Sequence, residues 1–500
     1  MRSKWKGLSA LLAVVVLGGL FTWDGLRGGD GFSFSLPGSE VSSGDQGGAG
    51  TQTGETLPSS REEMERFYDV YRLIQENYLE EVDEHDLIDG AIQGMVEVLE
   101  DPHSAYMAPQ QADEFQQSLE SSFEGIGAEV TMQNGRVTIL SPIKGSPAEK
   151  AGLRPNDQIL SVNGSSLDGL PLYEAVQKIR GPKGTEAELL ILRSGTEEPF
   201  RVLVVRDEIP LETVYAKTVG DYGVIQITQF SLDTAKRFRE EADRLMQAGV
   251  SGILLDVRGN PGGLLDSVLE IANGLLPENA VIVQVEDRTG KTQQYRSTRK
   301  NPQVPMVVLV DQGSASASEI LAAALQESLG VPVVGTPSYG KGTVQRTMPL
   351  ADGSELKLTT AKWLTPKGNW IHEKGVVPDV EVELPDFFRA LPLSGKQALQ
   401  RDMNSLEVKN LQTVLGGVGY DPGRSDGYFD QRTETALKAF QKASGLPATG
   451  VVDQETAQRL NEELRRRLTD EKNDVQLQTA LRVLQKQAEG GQGNPPSASN

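Results

Sequence analysis

Gly313-Ser314-Ala315-Ser316-Ala317-Ser318-Glu319 follows the apolar run Met306 to Val310 and opens a helical stretch that begins at Ala317. A strand, a sharp turn and a helix together lift a nucleophilic side chain clear of a sheet. Small residues around Ser316 leave room for a substrate backbone, and the first N–H groups of the helix place partial positive charge where an oxyanion would develop. The same letters also spell a capping box, Ser316-x-x-Glu319, and a serine in that position is more often structural than chemical. Either way the stretch reads as α/β.

Outward from it the same alternation continues. Apolar runs at Val224 to Ile227, Ile253 to Val257 and Val281 to Val285 alternate with helical patterns near 233–247, 264–275 and 317–329, which predicts an α/β core over 208–390. The strands are apolar on both faces, as in a sheet covered by helices. Downstream lies Gly340-Lys341-Gly342-Thr343-Val344-Gln345. A lysine between two glycines can approach a hydroxyl closely, and burial would lower its pKa enough to leave some neutral amine. A phosphate loop and a plain surface loop are the competing readings, although the G-x-x-x-x-G-K-[ST] spelling is missing. Asp256-Val-Arg258-Gly-Asn260-Pro261-Gly262-Gly263 follows another strand. There Asp256 and Arg258 read better as an ion pair bracing the loop than as an acid and a base, with Asn260 and Pro261 fixing the turn.

Composition narrows the chemistry. The chain has 500 residues, enough for about three domains. A net charge of −21 repels phosphate backbones over most of the surface, so no nucleic-acid partner is expected. With no cysteine, thiolate sites are excluded; with only His85, His103 and His372, far apart, a histidine-rich metal site is not expected, nor is any metal or organic cofactor. His103 and His372 are the candidate partners for a serine triad and neither convinces, although His372, in a loop after Trp370, could border the cleft.

The first 23 residues combine Arg2, Lys4 and Lys6 with an apolar run from Leu8 to Trp23, predicting export and a single-pass anchor that holds the remaining chain outside the cytoplasm. A cleaved signal peptide, giving a secreted protein, is the alternative. Residues 24–60, with ten Gly and seven Ser, read as a flexible linker. Helical patterns fill 61–122, and a small β-rich domain spans 123–207. After a linker at 391–404, residues 405–465 form a helical unit with a degenerate repeat, Gly427-Tyr-Phe-Asp430-Gln-Arg-Thr433 and Gly450-Val-Val-Asp453-Gln-Glu-Thr456, each Asp placed to cap a helix. A last helix within 466–487 and a disordered tail at 488–500 complete the chain.

Three resemblances bear on function. Gly125-Ile126-Gly127-Ala128, followed by Ser146-Pro147-Ala148-Glu149 and Asp157-Gln158-Ile159-Leu160, resembles a PDZ domain, whose glycines turn backbone N–H groups toward a peptide's terminal carboxylate. Asp421-Pro-Gly-Arg-Ser-Asp426-Gly-Tyr-Phe with Ala436-Leu437 and Phe440-Gln441 resembles the three-helix peptidoglycan-binding domain, a fold that also serves protein contacts. SASASE, GKGT and DVRGNPGG together, over 61–386, resemble the carboxyl-terminal processing peptidases of serine protease family S41. The full layout is similar to the membrane-anchored, sporulation-associated members of that family.

The resemblance implies an α/β (α+β) multidomain chain: a Ser/Lys protease core with an inserted PDZ domain, N-terminal helices and a small C-terminal three-helix domain. It implies Ser316 as nucleophile, Lys341 as general base, Gln345 as its support, and Gly262 and Ala317 as the oxyanion hole. Gly125, Ile126, Gly127 and Ala128 would take the C-terminus of a protein or peptide substrate, a homodimer is expected, and peptidoglycan is a candidate partner. Arg180, at the end of the helical pattern Leu172 to Ile179, is placed to couple the PDZ domain to the protease core; a plain helix-end cation is the other reading. A catalytically silent PDZ and cell-wall scaffold is the alternative function.

Overall fold

The computed structural model describes residues 60–491 apart from 134, 194–195, 197 and 300–303. The expected anchor, nearly all of the linker and the end of the tail lie outside the described residues. Two compact units form. One comprises the chain to Ala112 with Phe123–Ile209 and Thr347–Lys357, and the other comprises Asp113–Ser122, Pro210–Arg346 and everything from Leu358.

In the first unit, helices α1 (Ser60–Asn77) and α2 (Glu84–Glu97) precede strand β1 (Ala105–Met107); helix α3 (Pro109–Leu119) follows, its residues from Asp113 on belonging to the second unit. α1 leaves Met64, Phe67, Tyr68, Leu73 and Ile74 exposed. The β-rich part contains β2 (Ser122–Gly125), β3 (Ala128–Gln133), β4 (Arg136–Pro142), the short helix α4 (Pro147–Lys150), β5 (Gln158–Val162), β6 (Ser165–Ser166), helix α5 (Leu172–Ile179), β7 (Glu186–Leu192), β8 (Phe200–Val205) and β9 (Asp207–Pro210). Its main sheet runs β3-β4-β5-β7-β8, with β3 at one edge. Alternation sets the faces: β7 buries Ala187, Leu189 and Ile191, the positions two apart that share one side of a strand. α5 buries Ala175, Val176 and Ile179.

In the second unit, β10 (Val214–Val219) lies antiparallel on β11 (Tyr222–Ile227), and β11, β12 (Ile253–Asp256), β15 (Met306–Val310), β16 (Val333–Gly335) and β19 (Val380–Glu381) run parallel. A ribbon of β13 (Val281–Asp287) and β14 (Thr292–Arg296) pairs through β13 with the end of β18 (Glu355–Leu364), which β17 (Thr343–Pro349) also joins. Helices α6 (Thr234–Gln247), α7 (Leu265–Leu275) and α8 (Ala317–Leu329) cover one sheet face, packing on Ile253, Leu255, Met306, Val308 and Val310. The intervening residues Leu254, Val307 and Leu309 face the other way, against Leu477, Ala480 and Leu484 of the last helix, α12 (Val475–Gly491). The unbroken apolar strands are thus explained by two covers, the second supplied by the far end of the chain. α12 also runs past the expected helix end at 487, to Gly491.

Between sheet and α12 the chain makes α9 (Leu406–Gly417), α10 (Gln431–Ala443) and α11 (Gln454–Thr469) around a separate apolar core. Asp430 and Asp453 cap α10 and α11. The repeat has a reason invisible in its own letters. Buried Gln412 accepts the Gly427 N–H and donates to the Tyr428 carbonyl and the Thr433 hydroxyl. Buried Gln441 does the same for Gly450, Val451 and Thr456. Gln441→Ala leaves these buried groups unpaired at about 1–3 kcal/mol per group. Hydrogen exchange in α10 and α11 of the full chain should therefore accelerate while the parallel sheet stays protected.

Candidate active site

The turn after β15 separates the three serines of the SASASE stretch. Ser314 and Ser318 are fully buried, the first donating to the Val257 carbonyl (2.8 Å) and the second to the Asn260 carbonyl (2.9 Å). Ser316 alone of the three is partly exposed. Its backbone stands at φ 53° and ψ −111° as the cap of α8, a conformation that costs a non-glycine residue about 1–3 kcal/mol and persists only where its surroundings enforce it. They do so here. Ala315 N–H bonds the Asn260 carbonyl at 3.0 Å, and Ser316 N–H bonds Glu319 Oε2 at 2.8 Å.

Glu319 is the organising group. Its side chain has no exposure, and its two oxygens accept four hydrogen bonds. Oε2 takes the N–H groups of Ser316 and Lys341, both at 2.8 Å, and Oε1 takes the Ser338 hydroxyl and the Gly340 N–H. One carboxylate therefore fixes the backbones of both Ser316 and Lys341. Sequence reading found Glu319 only as the third helical residue of a capping box; the signal was present, but its second partner loop was not deducible.

Lys341 is held from its other side as well. Its carbonyl accepts from Trp363 Nε1 at 2.8 Å. Gly340, at φ 90°, and Gly342 pack against the backbone of the 370–374 loop so closely that a Cβ on either would lie 2.8–2.9 Å from a backbone nitrogen there. The flanking glycines are thus required by close approach. His372, in that loop, stacks on Trp370 at 5.1 Å between ring centroids. Gln345 on β17 donates to the hydroxyls of Thr343 (2.9 Å) and Thr359 (3.1 Å), which leaves its oxygen as the acceptor end of the amide. His103 belongs to the other compact unit, in a turn where its N–H bonds Asp101.

Gly262, at φ 105°, sits against the nucleophile turn: a Cβ there would fall 2.9 Å from Ser316 Cβ and 3.0 Å from the Ala317 nitrogen. Its N–H is donated to Asn260 Oδ1 at 2.8 Å. The two residues expected to form the oxyanion hole are therefore adjacent, while the Gly262 donor is engaged within its own loop by an asparagine that folds back two residues. Asp256 and Arg258 form the expected ion pair through two hydrogen bonds, 2.9 and 2.7 Å. Burial disfavours the Arg258 charge, yet the carboxylates of Asp256 and Asp474 outweigh it and raise the pKa.

In the first unit the carbonyls of Ile126 and Gly127 accept from Ala148 N–H and from Ile143 N–H and the Ser146 hydroxyl. Trans peptide planes then turn the N–H groups of Gly127 and Ala128 the opposite way, beside edge strand β3. A Cβ on Gly127 (φ 73°) would collide with Ser146 Cβ at 2.4 Å. Arg180 follows α5 and is 5 % exposed. Arg206 Nε also reaches the end of α5, donating to the Ile179 carbonyl at 2.8 Å.

Residues 221–382 match the model of peptidase family S41, 138–193 a PDZ domain, 36–111 the "Activating protease CtpB N-terminal domain" and 404–460 a putative peptidoglycan binding domain. The fold and these matches define a serine peptidase. The chain is 49% identical over 426 residues to carboxy-terminal processing protease CtpB of Bacillus subtilis (strain 168), covering 84% of this chain and 89% of that protein. To CtpA of the same organism it is 42% identical over 420 residues, again covering 84% and 89%. Among solved structures, the photosystem II D1 C-terminal processing protease aligns at 27% identity with a TM-score of 0.39, covering 64% of this chain and 93% of that one. The chain belongs to the carboxy-terminal processing proteases of peptidase family S41.

Proposed function

We propose that this peptidase hydrolyses peptide bonds through Ser316 and Lys341, with the neutral lysine amine taking the serine proton and Gln345 Oε1 orienting that amine. The observation that carries this reading is the single Glu319 carboxylate bonded to the N–H groups of both residues. The serine oxygen attacks the substrate carbonyl. Ala317 N–H at the head of α8 and Gly262 N–H, once released from Asn260, would stabilise the oxyanion. Breakdown expels the amine with the proton carried by Lys341, and water then releases the acyl group. Hydrolysis of an unstructured substrate such as casein should rise from mildly acid to mildly alkaline pH as the amine deprotonates. His103→Gln should leave that profile in place; a profile that collapses in this variant would favour a histidine base, and no hydrolysis at any pH would favour the scaffold reading.

The N–H groups of Gly127 and Ala128, turned away from the bonded carbonyls of Ile126 and Gly127, suit capture of an exposed apolar C-terminus by strand addition. Arg180 would couple that capture to turnover. Arg180→Ala should lower turnover of the folded enzyme sharply with little change in peptide affinity. Unchanged turnover would remove Arg180 from the coupling. We further assign the chain to the outside of the cell membrane, tethered by residues 1–23, with the 404–460 domain on the cell wall, a homodimer through the apolar face of α1, and envelope or sporulation-signalling proteins as substrates. Among the described residues no helix is long and apolar enough to cross a membrane.

A further inference from the structure

The segment 461–491 lies beyond both the peptidase match, which ends at 382, and the peptidoglycan-binding match, which ends at 460. It nevertheless returns to the catalytic sheet. α12 buries Leu477, Ala480 and Leu484 on the sheet face opposite α8, and a Cβ at Gly252 would meet Leu484 at 2.9 Å. At the head of α12, Gln476 Nε2 donates to the Val382 carbonyl at 2.8 Å, where the chain leaves the sheet. The three-helix unit is thus a loop of the chain whose two ends are fastened to the protease core.

The second fastening is at Arg258. Besides its two bonds to Asp256, its guanidinium donates to both oxygens of Asp474 (3.0 and 2.8 Å) and to Gln476 Oε1 (3.1 Å). Asp474 is also held by its own helix: Oδ1 accepts Leu477 N–H at 2.9 Å and the Asp474 carbonyl accepts Gln478 N–H at 2.9 Å, so the carboxylate is set by the helix it caps. Arg258 opens the loop that leads through Asn260 to Gly262, against Ser316. A guanidinium bonded to two carboxylates through four hydrogen bonds is fixed in direction as well as position.

We propose that Asp474 is a positioning residue for the peptidase reaction. Through Arg258 it holds the Arg258–Gly263 loop in register with Ser316, so that the segment after the peptidoglycan-binding-type domain is part of the catalytic unit. The proposal rests on the serine-peptidase reading above. Without Asp474, Arg258 keeps Asp256 and Gln476 but loses the second carboxylate that fixes its direction, beside an adjoining cavity of about 350 Å³ lined by Tyr215, Lys217 and Glu471 among others. The loop then loses its register. Displacing oxyanion donors by a fraction of an ångström costs rate more than binding.

The test uses the full chain and casein hydrolysis. Asp474→Ser keeps a capping oxygen for α12 and removes the carboxylate from Arg258. It should lower kcat about 10–100-fold with KM changed less than about threefold and the thermal midpoint within about 3 °C. Asp474→Glu should recover part of the loss, and adding Asp474→Ser to Arg258→Gln should cost little more than Arg258→Gln alone. Wild-type kcat in Asp474→Ser, or a loss no greater than its unfolded fraction, would overturn the proposal. Should the serine variant fail to fold, Asp474→Asn, which keeps the shape without the charge, carries the same test, and wild-type kcat there would again overturn it. Ser316→Ala in the same assay separates the two ideas, because activity in that variant would refute the serine-peptidase reading whatever Asp474 does.

Discussion

Ser316→Ala and Lys341→Ala are each expected to reduce casein hydrolysis by at least about 10⁴-fold, and the double variant should be no worse than either, because nucleophile and base act in one step. The fold should survive. The turn at Ser316 is fixed by backbone bonds to Asn260 and Glu319, which neither substitution removes. The neighbouring serines provide the internal contrast. Ser314→Ala and Ser318→Ala each delete a buried donor to a backbone carbonyl, at about 1–2 kcal/mol of stability, and should retain the chemistry in whatever fraction is folded. Turnover surviving in Ser316→Ala, or abolished only in Ser314→Ala, would move the nucleophile elsewhere.

Glu319→Gln should be the next most damaging change, without touching a reacting atom. Four donors converge on two carboxylate oxygens in a site without solvent exposure. An amide offers one acceptor oxygen and presents an NH₂ to the other two donors. In one orientation the Gly340 N–H loses its partner and the Ser338 hydroxyl must reverse; in the other, the N–H groups of Ser316 and Lys341 lose theirs. Each buried group so stranded costs about 1–3 kcal/mol, and the strained Ser316 conformation loses part of what enforces it. We expect kcat to fall about 10²–10³-fold with KM little changed, and a thermal midpoint lowered by several degrees. Asp at this position, one methylene shorter, should fare no better because it cannot reach both loops. Near wild-type turnover in Glu319→Gln would show that the two backbones need no common anchor.

How much of this was legible in the sequence follows from chain distance. Strand and helix positions in the peptidase sheet follow from apolar runs a few residues long, and the Asp256–Arg258 pair from two letters two apart. The family resemblance likewise rests on short contiguous motifs, and the matches to peptidase family S41 and the PDZ domain agree with it. What sequence could not supply were partners chosen by the fold. Asp474 meets Arg258 from 216 residues away. Glu319 meets Lys341 across a strand and two loops. The apolar alternation of Ile253, Leu254 and Leu255 demanded two covers, yet nothing in it identified α12 as the second. The repeat around Gly427 and Gly450 was visible, while its cause lay in Gln412 and Gln441, outside the repeated letters. At the end of α5 the Ile179 carbonyl accepts from Arg206, 27 residues beyond it in sequence, a partner no local pattern indicated.

The central claim is that Lys341 activates Ser316. Its most direct test is the rate at which a fluorophosphonate probe modifies the full chain, with the adduct mapped by peptide mass spectrometry across a pH series. The adduct should fall on Ser316, form faster as pH rises through the titration of the lysine amine, and be absent in Lys341→Ala at every pH where the variant is folded. An adduct on Ser316 that forms in Lys341→Ala at the wild-type rate would contradict the account.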